Sequence, residues 1–331
     1  MKIFSGSSNP KLSEEICKYL TSVAIYSNTG RVYLHTFPSG ERYCQFKENI
    51  RGEDVFLIQS GSFPTNDNLM ELLVMVDAAR RASAKTITAV LPYSFYSRQD
   101  RKEKARVPIS AKLVMNMLEC AGVNRVLTMD LHAIQSVGFA DYPVDHLYFE
   151  PVLYDYLSIA YPHSVLRNMV VVAPDAGAIK KGLSLSERLN CGFAFISKTR
   201  TGDTTVEINN FVGDVKDKTV IVIDDLTESC GTLIQAAMEC KQRGAKKVIC
   251  VVTHFCITEV GMDRLIQNMP HRNGIGVERP IDILIHSNTV DTKWTDSCFY
   301  TEKNLIKLSV GEIFGKAIRN INENKSVSEL F

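Results

Sequence analysis

Two aspartates stand side by side in the stretch Val220 to Leu233, VIVIDDLTESCGTL, between an apolar run and a turn of small and polar residues. The apolar run predicts a buried strand, and a helix is expected from about Leu233. Asp224 and Asp225 therefore fall at the carboxyl end of a strand, where open α/β sheets collect their ligands. Between them and the helix lie Thr227, Glu228, Ser229, Cys230, Gly231 and Thr232, three of which carry hydroxyls. Backbone N–H groups at a helix start, small residues that allow close approach, and hydroxyls make a cradle for a phosphate. Paired carboxylates suit vicinal hydroxyls or a hydrated Mg²⁺. The spacing is not that of a Walker loop, because no G-x-x-x-x-G-K occurs here. Taken together, the stretch fits a sugar phosphate.

Other groups with chemical potential are spread along the chain. Arg98 to Arg106, RQDRKEKAR, places five cations among nine residues just before Pro108. A solvated surface loop is the ordinary fate of such a run, yet its charge suits a polyphosphate. His132 follows the apolar run VLTMD, again at a strand's carboxyl end, where a buried structural histidine is the alternative. Lys198 and Arg200, in SKTRTGDTT, follow the strand FAFIS and enter a Gly- and Thr-rich loop. Phe37, Ser39 and Glu41, in TFPSGE, read equally as an edge strand with a tight turn.

The elements that must position these groups repeat one pattern. Short β-branched runs alternate with helical ones: DVFLIQS, NDNLMELLVMVDAARRA, KTITAVLP, ISAKLVMNMLECAG and RVLTMD, then KTVIVIDD, GTLIQAAMECKQRGA and KKVICVVTHF. The rhythm describes βα units and a mostly parallel sheet. Ser110 to Ala121 predicts an amphipathic helix with Ala111, Val114, Met117, Leu118 and Ala121 on its apolar face. The two halves match strand for strand and helix for helix, which predicts a duplicated α/β domain. The division is placed near Glu150-Pro151, giving domains over residues 1–148 and 149–331. Where the second half has Asp224-Asp225, the first has Gln59-Ser60. A carboxylate pair needed only for folding would be expected in both copies, so the pair reads as functional.

With 331 residues, the chain is long enough for two domains with cores of their own. Lys plus Arg number 38 against 37 for Asp plus Glu, so no global charge bias points to nucleic acid or a membrane surface. No run is apolar enough to span a bilayer, and the start, MKIFSGSSNP, lacks the apolar core of a signal peptide. Nine scattered cysteines without a C-x-x-C pair argue against a disulfide framework and a zinc site, and predict a reducing cytoplasm.

The chain resembles the ribose-phosphate diphosphokinase (phosphoribosyl pyrophosphate synthetase) family, and VIVIDDLTESCGTL resembles the ribose-phosphate loop of type I phosphoribosyltransferase folds. The resemblance runs from KIFSGSSNPKLSEEI through FPSGE, RQDRKEKARVPISAKL, TMDLHA and PDAG to ENKSVSELF. It implies two tandem phosphoribosyltransferase-like domains, the first without the acidic loop. It implies transfer of the β,γ-diphosphoryl group of Mg-ATP to the anomeric hydroxyl of ribose 5-phosphate. Ribose-phosphate binding falls to Asp224, Asp225, Glu228, Ser229, Cys230, Gly231 and Thr232. ATP binding falls to Arg98, Gln99, Asp100 and His132, and to Phe37, Ser39 and Glu41, which receive adenine at a subunit contact. Mg²⁺ falls to His132 and Asp175, and transition-state stabilisation to Lys198 and Arg200, with His132 orienting the triphosphate. Dimers assembling into hexamers, and activation by inorganic phosphate, are further implications.

The sequence departs from the family pattern in places. Glu228 and Ser229 stand where Asp and Thr are common, Ser39 where Asp or Asn is common, and PDAGAIKK has Ala178 and Lys181 in place of a Gly and an Arg. Ala105 and Val107 alter the segment tied to phosphate activation. The changes near the acceptor leave open a larger ribosyl acceptor such as ADP-ribose; a phosphoribosyltransferase that consumes the pyrophosphate and a non-catalytic regulatory relative are the competing function classes.

Overall fold

In a computed structural model, residues 1–23, 29–200, 206–270, 279–294 and 304–331 are described, with the side chains of 198–200 and 206–209 outside the description. The chain forms two compact units. The first comprises residues 1–149, 289–291 and 309–331, and the second residues 150–288 and 292–308. The division is thus not a single cut between 148 and 149, because the last segment of the chain packs with the first unit.

In the first unit, β1 (Lys2–Ser5), β4 (Asp54–Ile58), β5 (Thr86–Leu91), β6 (Arg125–Met129) and β7 (Val144–Leu147) form one sheet in the order β1-β4-β5-β6-β7. All four pairings are parallel. Parallel strands covered on both faces read as continuous apolar runs, and Val55, Phe56, Leu57 and Ile58 are accordingly all buried. A separate antiparallel hairpin, β2 (Val32–Thr36) and β3 (Arg42–Phe46), precedes β4. Helix α1 (Pro10–Ser22) starts at Asn9, whose side chain accepts from Leu12 N, with Pro10 in the first turn. Helix α2 (Thr65–Arg81) follows β4, and α3 (Ser110–Ala121) covers the span its periodicity predicts. Its buried face is Ala111, Val114, Met115 and Leu118; Met117, expected there, is only half buried. Ala111, Val114, Met115 and Leu118 are the i, i+3, i+4, i+7 stripe, whereas Met117, at i+6, falls beside it. Gly122 ends α3 at φ 120°, a left-handed conformation that a Cβ would strain.

The second unit begins with α4 (Glu150–Ala160) and the single turn α5 (His163–Leu166). It then alternates β8 (Met169–Ala173), α6 (Ile179–Leu189), β9 (Gly192–Arg200), β10 (Val206–Val212), β11 (Thr219–Thr227), α7 (Gly231–Gln242), β12 (Lys247–Phe255), α8 (Glu259–Asn268), β13 (Ile283–Ser287) and β14 (Leu305–Leu308). The sheet order is β10-β9-β8-β11-β12-β13-β14, parallel except for the β9/β10 pair. Helix α9 (Gly311–Asn322) returns to the first unit and packs on α1. Gly315 and Gly311 let the two helices approach: a Cβ at Gly315 would sit 2.5 Å from the Tyr19 ring, and one at Gly311 2.8 Å from Glu15 Cβ.

Candidate active site

The acidic stretch lies within β11, which runs past both aspartates to Thr227 instead of stopping before them. Its neighbour β12 is equally long, and the pairings Asp224↔Val252, Leu226↔His254 and Thr227↔Phe255 carry the strand to its end. The twin strand β4 stops at Ile58. There Gln59 is used for structure: its amide accepts from Ser8 N at 3.1 Å and donates to Asn68 O at 3.1 Å and Glu71 Oε1 at 2.8 Å.

Beyond β11, the chain turns through Glu228 and Ser229, both exposed, and reaches Cys230 at φ 57°. A left-handed non-glycine residue is unfavourable, and here it bends the chain so that α7 can start at Gly231. Cys230 is buried, and burial pushes its thiol up to about 11, which keeps it protonated and unreactive at neutral pH. The first turn of α7 carries the unpaired N–H groups of a helix start, with Ser229 just before it and Thr232 within it, a setting suited to an anion. Asp225 N donates to Asp224 Oδ1 and Leu226 N to Asp225 Oδ1, each at 2.9 Å.

Asp175 comes from the turn after β8, where its Oδ1 accepts from Gly177 N at 2.9 Å and Ala178 N at 3.2 Å. Asp175, Asp224 and Asp225 come together: burial, then the charges of Asp225 and Asp175, raise the Asp224 carboxyl well above the usual range. A cluster of like charges, partly removed from water, calls for a cation. No group of three or more His, Cys, Asp or Glu side chains is arranged around one metal position among the described residues. The carboxylates therefore suit a Mg²⁺ held by one or two protein oxygens, with water and phosphate oxygens completing its shell.

The first unit displays the remaining candidates other than Lys198 and Arg200, which belong to the second. Phe37, Ser39 and Glu41 share the tip of the β2/β3 hairpin, closed by Phe37 N to Glu41 O at 2.9 Å and Gly40 N to Phe37 O at 2.8 Å. Ser39 Oγ donates to Glu41 Oε2 at 2.9 Å, and the Phe37 ring is 44% exposed. Arg98, Gln99 and Asp100 lie in the segment between β5 and α3, with Arg98 exposed and Asp100 half buried. Gln99 is tied to the start of α3, accepting at its side chain from Ser110 Oγ and at its carbonyl from Ala111 N. That contact commits one face of the residue to structure. His132 is exposed just past β6, after Asp130 in the left-handed region at φ 39°. Lys198 and Arg200 have their backbone in β9, opposite Ile208 and Val206, instead of in a loop. Their side chains lie outside the described residues.

Comparison with known proteins identifies the family. Residues 1–122 match the N-terminal domain of ribose phosphate pyrophosphokinase, and residues 163–276 the phosphoribosyl transferase domain. A ribose-phosphate pyrophosphokinase of Rhodopirellula baltica is 41% identical, covering 100% of this chain and 98% of its own. One of Campylobacter jejuni is 39% identical over the same shares. The chain belongs to the ribose-phosphate pyrophosphokinase family. The crystal structure of phosphoribosylpyrophosphate synthetase from Mycobacterium smegmatis, 35% identical, superposes with a TM-score of 0.84 over 98% of this chain and 99% of that one. On this pyrophosphokinase framework, the hairpin tip and Arg98 to Asp100 fall in the matched N-terminal domain, whereas Asp175, the β9 cations and the acidic loop fall in the matched phosphoribosyl transferase domain. His132 lies between the two matched ranges.

The pyrophosphokinase fold also brings up residues that sequence reading passed over. Thr258 caps α8 by accepting from Gly261 N at 3.1 Å, and its own N and Oγ1 donate to the carbonyl of Glu228 at 3.0 and 3.2 Å. A Cβ at Gly261 would lie 2.0 Å from that same carbonyl oxygen. Helix α8 thus braces the turn at Glu228 through a glycine. Arg264, on the same helix, is exposed, with Nη1 3.8 Å from where a Cβ on Gly231 would stand. Lys181, already singled out in the sequence, donates to Thr253 Oγ1 on β12 at 2.7 Å. TEVGMDR gives no local signal of this role, because only the fold carries α8 back to the loop.

Proposed function

We propose that the chain transfers the β,γ-diphosphoryl group of ATP to the anomeric hydroxyl of ribose 5-phosphate, forming phosphoribosyl pyrophosphate and AMP. The observation that carries this reading is the acidic phosphate loop, Asp224 to Thr232, in a chain similar over its full length to ribose-phosphate pyrophosphokinases. The ADP-ribose acceptor, the phosphoribosyltransferase and the regulatory relative receive no support from those similarities.

In this reading, Asp224 and Asp225 hold the ribose hydroxyls, while the N–H groups of residues 229–232 and the hydroxyls of Ser229 and Thr232 hold the 5-phosphate. The anomeric oxygen forms a bond to the β-phosphorus as the bond from that phosphorus to the α,β-bridging oxygen breaks. AMP leaves with the bridging oxygen, and one proton is released. Phosphoryl transfer depends on in-line positioning and on cations placed where charge develops. Lys198 and Arg200 are assigned that second role, and Arg98, Gln99, Asp100 and His132 orient the triphosphate. Phe37, Ser39 and Glu41 receive the adenine, the ring by stacking and the carboxylate by accepting from its amino group. Mg²⁺, assigned to Asp175 and His132, would supply charge neutralisation for the polyphosphate. A homo-oligomer of dimers, a cytoplasmic setting and sensitivity to inorganic phosphate belong to the same reading.

Phosphorus NMR with AMP quantified tests it, on purified protein with Mg-ATP and either ribose 5-phosphate or ADP-ribose. A phosphoribosyl pyrophosphate signal and stoichiometric AMP are expected from ribose 5-phosphate. Product from ADP-ribose alone would reassign the acceptor, and product from neither would point to the regulatory relative.

A further inference from the structure

The exposed hairpin tip is anchored at its base by a buried charge. Glu71, in the middle of α2, is 2% exposed, and a carboxylate withdrawn from water is tolerated only when its oxygens are fully engaged. Its Oε1 accepts from Ser7 N at 2.7 Å and Gln59 Nε2 at 2.8 Å. Its Oε2 accepts from Ser7 Oγ at 2.8 Å and from Arg42 Nη1 at 3.3 Å. Arg42 follows Glu41 directly and begins β3. Its Nη1 also donates to Thr36 Oγ1 at 2.8 Å, and its Nη2 lies 3.6 Å from Asp67 Oδ2. The Arg42 Nε is buried without a hydrogen-bond partner in the structure, so the residue is held by its two terminal nitrogens.

Thr36 and Arg42 are register partners, the pair that closes the turn displaying Phe37, Ser39 and Glu41. Further from the tip, Val32, Leu34, Cys44 and Phe46 pack on the apolar core and fix the inner end of the hairpin. At the tip end, the aromatic neighbours of the Phe37 ring among the described residues are His35 and Tyr43, both on the hairpin itself. The guanidinium is the polar link that ties the closing pair to Glu71 on α2. Asp67 is 59% exposed and holds it weakly; Glu71 is the buried partner. For packing alone, an apolar side chain at position 71 would serve as well, whereas an ion pair on the closing residues sets an orientation.

We propose that Glu71 is a positioning residue for the nucleotide: acting through Arg42, it fixes the closing pair of the hairpin and so the tip that meets the adenine. The inference rests on the reading of Phe37, Ser39 and Glu41 as adenine contacts. Steady-state kinetics on the full chain test it with Glu71→Gln, Arg42→Gln, the double variant and Phe37→Ala, each checked for folding by its urea midpoint. Glu71→Gln and Arg42→Gln are each expected to raise the KM for ATP about tenfold while the KM for ribose 5-phosphate stays within about twofold. The double variant should match either single one, because both break the same link. Should Glu71→Gln fail to fold, Arg42→Gln against Arg42→Lys, which keeps the charge facing Glu71 and should recover part of the ATP affinity, carries the comparison. Equal rises in both KM values, or effects that multiply in the double variant, would overturn the proposal. An unchanged KM for ATP in Glu71→Gln beside a raised one in Phe37→Ala would overturn it while leaving the adenine reading intact. A Phe37→Ala variant with unchanged KM for ATP would remove that reading and the proposal with it.

Discussion

Asp224 is held in a state that costs the free protein stability. Burial and two neighbouring carboxylates raise its carboxyl well above the usual range, so the folded chain binds a proton that the unfolded chain has already released. For an acid with a raised folded value, the stabilising contribution is present at low pH and is lost as pH rises. Replacing it with Asn should raise Tm by a few degrees at neutral pH, measured without Mg²⁺, while lowering kcat more than about a hundredfold. Arg264 offers a second test: it is an exposed cation beside Gly231, which the proposed function assigns to the 5-phosphate. Arg264→Gln should raise the KM for ribose 5-phosphate about tenfold and leave the KM for ATP unchanged; equal effects on both would place its role elsewhere.

Helices and strands hold the site by close approach as much as by hydrogen bonding. The phosphate loop is clamped between the start of α7 and the start of α8, where the Glu228 carbonyl meets Thr258 and leaves no room for a side chain at Gly261. The neighbour that a Cβ would meet is backbone and cannot swing aside. Gly261→Ala is therefore expected to cost about 2 kcal/mol of stability, read by urea unfolding, and to raise the KM for ribose 5-phosphate as the loop moves. The hairpin shows the opposite construction. It presents an exposed tip on a short two-stranded ribbon, held by one buried ion pair and an apolar seam.

Over the whole molecule, protonation acts in two directions. His286, buried on β13 and stacked on Phe255 with ring centroids 4.3 Å apart, has its pKa lowered by burial from 6.5 to about 4. Between those values the unfolded chain takes up a proton that the folded chain refuses. Its contribution is therefore complete above pH 6.5 and is lost as pH falls toward 4. Unfolding by urea at pH 7.5 and pH 5 should differ by about 2 kcal/mol from this residue, and His286→Gln should remove that part of the difference. Asp224 works against it, losing stability as pH rises, and a cation at the acidic loop should offset that loss most at the higher pH.

The alternating runs determined the α/β architecture, because period and length alone separate buried strands from amphipathic helices; α3 falls on the span its pattern predicts. The types in DDLTESCGT determined the chemistry, since carboxylates beside a helix start leave few ligands that suit them. Tertiary structure decided the rest. Glu71, Thr258, Gly261 and Arg264 gained their meaning from partners far away in the chain, and the closing segment 309–331 joined the first unit because α1 offers α9 a close-packed face. No local pattern encodes such contacts; they exist only once the chain has folded.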